Sequence, residues 1–176
     1  FDEPLSNLDA ALRVSTRNEL VNLHQRLGAT TIYVTHDQVE AMTMGSRICI
    51  INQGRIVQIG RPMDVYRSPA STFVAGFLGS PPMNLLPASL QAATTLRLGS
   101  QSIALPAAWK ARMGEQRGGI VFGIRPEDLF LIGHAPPAKS AVQLEATVEA
   151  VEALGAETVF IFRLDGLDKA VFMKAD

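Results

Sequence analysis

The N-terminal part of the chain shows apolar residues first at helical spacing and then in a continuous run. Leucines recur among polar residues over Leu8–Leu27, which predicts an amphipathic helix. Ser6 or Asn7 is placed to cap the start of this helix, and Gly28 is placed to end it. The β-branched run Thr30–Thr35 then predicts a buried parallel strand.

Shorter elements follow, and their order is typical of the closing part of an α/β domain. The pair Gln53-Gly54 suits a tight hairpin turn between two short apolar strands. The predicted strands are Arg47–Asn52 and Arg55–Ile59, and the predicted helices are Gln38–Met44, Pro62–Arg67 and Ser71–Phe77. Because the chain begins with what resembles the end of a strand, we expect an α/β domain whose first half is missing.

A change to turn-forming residues at Gly79-Ser80-Pro81-Pro82 predicts a domain boundary. The expected domains are 1–82 and 83–176. Beyond the boundary the strand-like segments are short and separated by Gly- and Pro-bearing turns, which predicts a small barrel or sandwich. The predicted strands are Ser102–Leu105, Ile120–Ile124, Val142–Val151 and Thr158–Leu164.

Composition narrows the class of protein. The chain has 176 residues, a formal net charge of −1 and 47% hydrophobic residues. This apolar content is sufficient for a core, and the near-neutral charge excludes a strongly basic nucleic-acid binder. Cys49 is the single cysteine, so a disulfide framework is excluded, and its apolar neighbours predict a core position. No apolar run approaches the roughly 18 residues of a membrane helix.

Candidate catalytic side chains lie at the ends of two predicted strands. Asp2 and Glu3 follow the first strand, and His36 closes the second. If the strands are parallel neighbours, these side chains meet at the carboxyl edge of the sheet, where open α/β folds bind ligands. Adjacent carboxylates suit phosphoryl transfer, because one holds Mg²⁺ while the other activates the attacking water. Considered one at a time, these residues have other interpretations: Asp2 and Glu3 could belong to a solvated acidic turn, and His36 could be a structural histidine.

Taken together, these residues resemble the ATP-binding subunits of ABC importers. The resemblance rests on Phe1–Ala10 and Tyr33–Met42, and Phe73–Asn84 is similar to the group that imports sugars and sn-glycerol-3-phosphate. Gly123–Leu129 and Leu154–Thr158 are similar to the OB-like, transport-associated regulatory domain of that group. The resemblance implies an α/β fold, the C-terminal part of a P-loop NTPase ABC domain, followed by a β-rich OB-like regulatory domain.

The resemblance also implies a role for each candidate residue. Asp2 would be the Walker B aspartate, which holds Mg²⁺ through water. Glu3 would be the catalytic glutamate, and His36 the switch histidine that assists it. The residues implied in binding ATP and Mg²⁺ are Asp2, Glu3, Ser6, Asn7, Asp9 and His36, of which Ser6, Asn7 and Asp9 belong to the D-loop.

In that family the whole subunit hydrolyses ATP to energise import of a sugar or an sn-glycerol-3-phosphate-like solute. The implied partners are a second copy of the subunit in a homodimer, two transmembrane permease subunits and an inhibitory regulatory protein at the β domain, with no nucleic acid. The implied location is peripheral, at the cytoplasmic face of the bacterial inner membrane.

Several motifs of the family do not occur in this sequence. The chain has no G-x-x-x-x-G-K-[ST] P-loop and no L-S-G-G-Q signature. We therefore expect a C-terminal fragment with an incomplete β domain. Without those motifs, the fragment is expected to be inactive as an ATPase and to bind neither ATP nor Mg²⁺ tightly.

Two other functions stay open as alternatives. In the first, the β domain over Leu85–Asp176 is a regulatory module that senses a small molecule or a protein partner. In the second, the chain is a DNA-repair ATPase of the same superfamily, which would share the acidic pair and the switch histidine. The run Phe73–Asn84 and the β domain argue against the second alternative.

Overall fold

The computed structural model describes residues 1–92, 94–106, 109, 119–134 and 141–175. The chain divides into two compact units, Phe1–Gly79 and Ser80–Asp176. The first is built mainly of helices and one hairpin, and the second is built of antiparallel sheets. Within the described ranges, no helix combines the length and the apolar character needed to cross a membrane.

The first unit confirms the predicted helices and the predicted hairpin. Asp2 forms a parallel bridge with Val34, which gives the predicted strand direction. Four helices and a two-stranded antiparallel hairpin accompany this bridge. They are α1 (Ala10–Leu27), α2 (Gln38–Met44), β1 (Ile48–Asn52), β2 (Arg55–Gly60), α3 (Pro62–Arg67) and α4 (Thr72–Phe77).

The hairpin turns where the sequence predicts. Gln53 and Gly54 both have positive φ angles, 49° and 73°, as a tight two-residue hairpin turn requires. Side chains alternate along β1, so Ile48 and Ile50 are buried while Cys49 is exposed. The predicted core position of Cys49 is therefore wrong, because an antiparallel strand with one covered face turns every second residue outwards.

Helices α3 and α4 supply the other surface of this small core. Three apolar, almost completely buried residues pack against the buried face of β1: Val65, Val74 and Leu78. Gln38, the first residue of α2, joins the helix to the end of the unit. Its side-chain amide donates to the carbonyl of Phe77 (2.6 Å) and accepts from the N–H of Gly79 (2.7 Å).

The run Thr30–Thr35 is not the buried strand that its β-branched residues predict. Its single bridge is the one between Asp2 and Val34, and Ile32 is 78% exposed. A parallel strand is buried when it is paired on both edges and covered on both faces. The described residues pair this run on one edge only, so Ile32 and Val34 face solvent, whereas Tyr33 and Thr35 are half-buried.

Helix α1 is confirmed, but its predicted cap is wrong. The helix begins at Ala10, and the carboxylate of Asp9 accepts from the N–H of Leu12 (2.9 Å), so Asp9 is the N-cap in place of Ser6 or Asn7. Gly28 ends the helix in the left-handed conformation, as predicted. None of the helix residues is buried, so the apolar stripe stays exposed to solvent.

The second unit is β-rich, as predicted, with two antiparallel sheets. One sheet has the strand order β5-β4-β3-β6 and the other has the order β7-β8-β9. The strands are β3 (Asn84–Ala92), β4 (Thr95–Leu98), β5 (Gln101–Ala104), β6 (Gly119–Ile124), β7 (Thr147–Ala153), β8 (Thr158–Arg163) and β9 (Ala170–Ala175), with a 3-10 turn at Pro126–Asp128. Three of them match predicted strands closely, and β3, β4 and β9 are additional.

The predicted strand Val142–Val151 begins later than expected, at Thr147. The backbone just before it pairs with a side chain instead of a neighbouring strand. The amide of Gln101 donates to the carbonyl of Glu145 (2.6 Å) and accepts from its N–H (2.7 Å). These two bonds satisfy Glu145 without a strand partner, so the ladder starts beyond it.

One apolar cluster holds the second unit together, and it draws on both sheets and the turn between β8 and β9. Its members are Leu86, Leu96, Leu98, Ile103, Leu105, Leu164, Leu167 and Val171. Asn84 links the sheets by hydrogen bonds, since its buried side chain donates to the carbonyl of Phe172 (2.7 Å) and accepts from the same residue's N–H (2.8 Å). This pairing places the start of β3 against β9.

Gly99 is the glycine at which a substitution should cost most in this unit. Its φ is +56°, and a Cβ atom built there would lie 2.1 Å from the carbonyl oxygen of Asp165. Gly155 has φ +88° and open space around the same position. Gly155→Ala should therefore lower the free energy of unfolding by about 1 kcal/mol, because alanine is strained in the left-handed conformation. Gly99→Ala should lower it by about 3 kcal/mol or more, because the backbone at Asp165 must also move away from the added Cβ atom.

Urea unfolding of the two alanine variants checks this difference. Equal losses of unfolding free energy at the two positions would contradict the close packing of Gly99 on Asp165.

Candidate functional site

Glu3 and His36 meet beside the short parallel ladder. The N–H of Val34 donates to the carbonyl of Phe1 (2.8 Å), and the N–H of Glu3 donates to the carbonyl of Val34 (2.9 Å). The Glu3 carboxylate then lies 3.1 Å from Nδ1 of His36. The structure therefore brings together the two residues that the sequence predicts to be catalytic.

The backbone turns sharply at Glu3. Its φ is +44°, a left-handed conformation that few non-glycine residues adopt and that is enriched at functional sites. Ser6 stabilises the turn, because its hydroxyl and its N–H both donate to the Glu3 carbonyl, at 2.9 and 3.2 Å. Leu5 is 1% exposed and anchors the same loop to the protein.

The other candidate residues have different surroundings. Asp2 is exposed, and its carboxylate makes no hydrogen bond or ion pair with the described residues. Asn7 is also exposed and makes no side-chain contact of this kind within the described part of the chain. Asp9 caps α1. The structure thus brings the side chains of Glu3 and His36 together. Asp2 is placed next to them by its backbone bridge to Val34 only, and Asn7 and Asp9 do not contact the Glu3–His36 pair.

The carboxylates fit the mode of Mg²⁺ binding that the resemblance implies. Within the described residues, no group of three or more His, Cys, Asp or Glu side chains is placed to hold a metal ion. Mg²⁺ usually keeps several waters and is held by one or two carboxylates together with substrate phosphates. The unpaired, exposed carboxylate of Asp2 suits that mode, whereas the described residues form no cage made of protein ligands alone.

The segment that carries His36 is hydrogen-bonded to a buried carboxylate, that of Glu40. Glu40 is 3% exposed, and its Oε2 accepts from the hydroxyl of Thr35 (2.6 Å) and from the hydroxyl of Tyr33 (3.1 Å). The N–H of Asp37 in turn donates to the Thr35 hydroxyl (2.9 Å). Both neighbours of His36 in the chain are therefore connected to Glu40.

Asp37 caps the helix that follows. Its carboxylate accepts from the N–H groups of Val39 (2.7 Å) and Glu40 (3.2 Å) at the start of α2. The guanidinium of Arg13 lies 3.6 Å from the same carboxylate and donates to the carbonyl of Leu8 (3.0 Å). The cap thus links α2 to the start of α1.

Sequence reasoning missed this network around Glu40. The signal that indicates the cap is the spacing of Asp37 and Glu40, an acidic N-cap followed three residues later by glutamate. The pattern of residues 30–35 predicts strand positions for Tyr33 and Thr35 and gives no sign of their hydrogen bonds. Both hydroxyls donate to Glu40 because the two residues lie on the same side of the extended run, the side that Glu40 of α2 contacts.

Comparison with protein families identifies the second unit. Residues 79–129 match the family model described as the MalK OB fold domain. Residues 122–176 match the model described as the TOBE domain. The two matches together extend over the whole of the β-rich unit and support the OB-like fold expected from the sequence.

Comparison with curated proteins covers the whole chain. The chain is 46% identical over 183 residues to the sn-glycerol-3-phosphate import ATP-binding protein UgpC of Cupriavidus necator. The aligned region covers 100% of this chain and 48% of that protein. The chain is 49% identical over 173 residues to the trehalose/maltose import ATP-binding protein MalK of Thermococcus litoralis, with 95% and 46% coverage. The chain therefore spans about half the length of the relatives it matches.

Tyr33 provides a direct measure of the environment around Glu40. Burial, the hydrogen bond to Glu40 and the negative charge of Glu40 raise the pKa of the Tyr33 hydroxyl from 10.0 to about 12, and the Arg17 guanidinium offsets part of this effect. The folded state therefore holds the phenol proton more tightly than the unfolded state. Its contribution to stability is complete below about pH 10 and is lost as the pH rises through about 12.

Spectrophotometric titration of a Tyr66→Phe variant, which leaves Tyr33 as the remaining tyrosine, should give a midpoint of about 12. Adding Glu40→Gln should lower that midpoint but leave it above the ordinary value, because burial remains. A Tyr33 midpoint near the ordinary value in the Tyr66→Phe variant would contradict the described contacts.

Proposed function

We propose that the chain forms the C-terminal half of an ATPase subunit of the MalK and UgpC kind, the ABC-importer ATP-binding proteins to which it is similar over its whole length. In the complete subunit, ATP hydrolysis would energise import of a sugar or an sn-glycerol-3-phosphate-like solute. The observation that carries this proposal is the 3.1 Å contact between the Glu3 carboxylate and the His36 ring at the end of a parallel ladder.

The roles of the reacting groups follow from their positions. The Glu3 carboxylate is 44% exposed and lies 3.1 Å from Nδ1 of His36, so water reaches it and it can orient a water molecule and take its proton. Nδ1 of His36 faces Glu3 and the ring is 72% exposed. In its protonated form, which carries an N–H on both ring nitrogens, the ring would also donate from Nε2 to a phosphate oxygen. Asp2 would hold Mg²⁺ through water, and the ion would neutralise charge on the phosphates.

Ser6, Asn7 and Asp9 are proposed to act from the loop that joins Glu3 to α1. Ser6 fixes the turn at Glu3 by binding its carbonyl. The exposed Asn7 side chain is free of contacts within the described residues and is available to a second copy of the subunit. Asp9 holds the start of α1 and thereby the end of this loop. These placements support a loop that contacts nucleotide across a dimer.

The proposal includes the assembly implied by the family. The complete subunit would form a homodimer that binds two transmembrane permease subunits at the cytoplasmic face of the inner membrane. The nucleotide-binding part would extend to residue 82, and the β domain from residue 83 would receive an inhibitory regulatory protein. The family matches begin at residue 79 and are described as OB fold and TOBE domains, which supports a separate β domain in this part of the chain.

A second candidate function concerns the β domain as a small-molecule sensor. It is supported by the separate apolar core of the second unit and by the two family matches that cover it. Trp109 is the single tryptophan of the chain and is 47% exposed. A sensor role predicts a saturable change in Trp109 emission when the chain is titrated with maltose or with sn-glycerol-3-phosphate. Unchanged emission with both compounds would reject sensing of these solutes.

The ATPase proposal predicts that Glu3→Gln abolishes most turnover in the full-length subunit. Loss of a general base should lower kcat by about 10²- to 10⁴-fold, because glutamine accepts a hydrogen bond but takes no proton at neutral pH. Binding of Mg-ATP should be retained. Steady-state phosphate release and nucleotide binding provide the measurements.

Glu19→Gln is the matched control, since Glu19 is an exposed residue of α1. It should leave kcat unchanged. Hydrolysis at the normal rate in the Glu3→Gln subunit would disprove the role assigned to Glu3.

A further inference from the structure

We propose that Thr35 and Glu40 are positioning residues that fix the backbone at His36 for the reaction. The proposal rests on the proposed function, because it assigns a purpose to the orientation of His36. It concerns residues of this chain that contact neither Asp2 nor the Glu3 carboxylate. The structural feature that supports it is a relay of hydrogen bonds from the Asp37 backbone through Thr35 to Glu40.

The relay differs from an ordinary capping box. In a capping box, the glutamate at the third helical position accepts directly from the backbone N–H of the N-cap residue. Glu40 occupies that third position of α2, and Asp37 is the N-cap. Here the hydroxyl of Thr35 is inserted between them, accepting from Asp37 at 2.9 Å and donating to Glu40 at 2.6 Å.

The inserted hydroxyl closes a loop around a single residue. Thr35 precedes His36 and Asp37 follows it, so the relay ties the residues on both sides of the histidine to each other. The Asp37 carboxylate also holds the first N–H groups of α2. The backbone of His36 is therefore fixed on both sides, and its remaining freedom is the rotation of its own side chain.

Burial makes the relay rigid. Glu40 is 3% exposed, and its Oε2 also accepts from the hydroxyl of Tyr33 at 3.1 Å. A buried carboxylate loses much free energy when a hydrogen-bond donor leaves it, because water cannot replace that donor. Movement of Thr35 away from Glu40 is therefore costly, and the position of His36 is fixed with it.

The exposed contact between His36 and Glu3 needs such support. The ring of His36 is 72% exposed, so its 3.1 Å contact with Glu3 receives little help from packing. Catalytic groups held loosely lose rate, and a misplacement of about 1 Å can cost about 100-fold. The hydrogen bonds of Thr35 and Glu40 restrict the backbone of His36 and so limit the positions that its exposed ring can take.

The test is a double-mutant cycle in the full-length subunit. Thr35→Val keeps the shape of the side chain and removes the hydroxyl, whereas Thr35→Ser keeps the hydroxyl. Thr43→Val is the matched control on α2, because the Thr43 hydroxyl donates only to the carbonyl of Val39 (2.5 Å) on its own helix. Each variant is made with His36 present and with His36→Ala, and kcat and KM for ATP are measured.

The proposal predicts that Thr35→Val lowers kcat by about 10- to 100-fold with an unchanged KM. Thr35→Ser should restore most of the rate, and Thr43→Val should not change it. In the His36→Ala background, Thr35→Val should cause no further loss, because the residue through which it acts is gone. This non-additivity distinguishes positioning from a general loss of stability.

Three results would overturn the proposal. One is a normal kcat for Thr35→Val in a subunit that His36→Ala inactivates, which would leave the proposed function intact. Another is an equal loss from Thr35→Val in both backgrounds. The third is full activity of His36→Ala, which would also refute the catalytic role of His36. If Thr35→Val does not fold, Glu40→Gln replaces it in the same cycle, and the same three outcomes decide.

Discussion

A pair of backbone hydrogen bonds determines where the candidate site forms. They hold residues 1–3 parallel to residues 32–34, with Val34 donating to Phe1 and Glu3 donating to Val34. Parallel pairing brings the ends of both segments to the same edge. Glu3 and His36 are far apart in the chain, yet they come within 3.1 Å because each follows its own segment at that edge. Without the ladder, Ser6 would still hold the turn at Glu3, but nothing would fix the Glu3 carboxylate beside His36.

Two glutamates of this region serve different purposes because water reaches one and not the other. The Glu3 carboxylate is exposed and has one protein partner, so it can still accept a proton or a water molecule. The Glu40 carboxylate is buried and is occupied by two hydroxyls, so it can order the chain but cannot meet a substrate. The site thus combines a reactive group in solvent with a rigid group beneath it.

The proximity of Glu3 and His36 could be predicted from sequence because it depends on strand direction and on the position of each residue at a strand end. The relay through Glu40 could not be predicted in this way. Its spacing indicates a cap at Asp37, but the insertion of Thr35 depends on how the run 30–35 leaves the ladder. In a regular strand the side chains of Tyr33 and Thr35 would share a face of the sheet. Their joint contact with Glu40 depends on the helix that follows being folded against that face.

Burial was the property that sequence patterns predicted least well. The spacing of leucines correctly gives helix α1, and the β-branched run correctly gives a parallel direction at Val34. A pattern states which face can be buried, whereas burial also requires a second surface to cover that face. The described residues cover neither α1 nor Ile32. The β-rich unit shows the converse. Residues from its two sheets form one apolar cluster, and Ile103 and Val159, which lie in predicted strands, are buried.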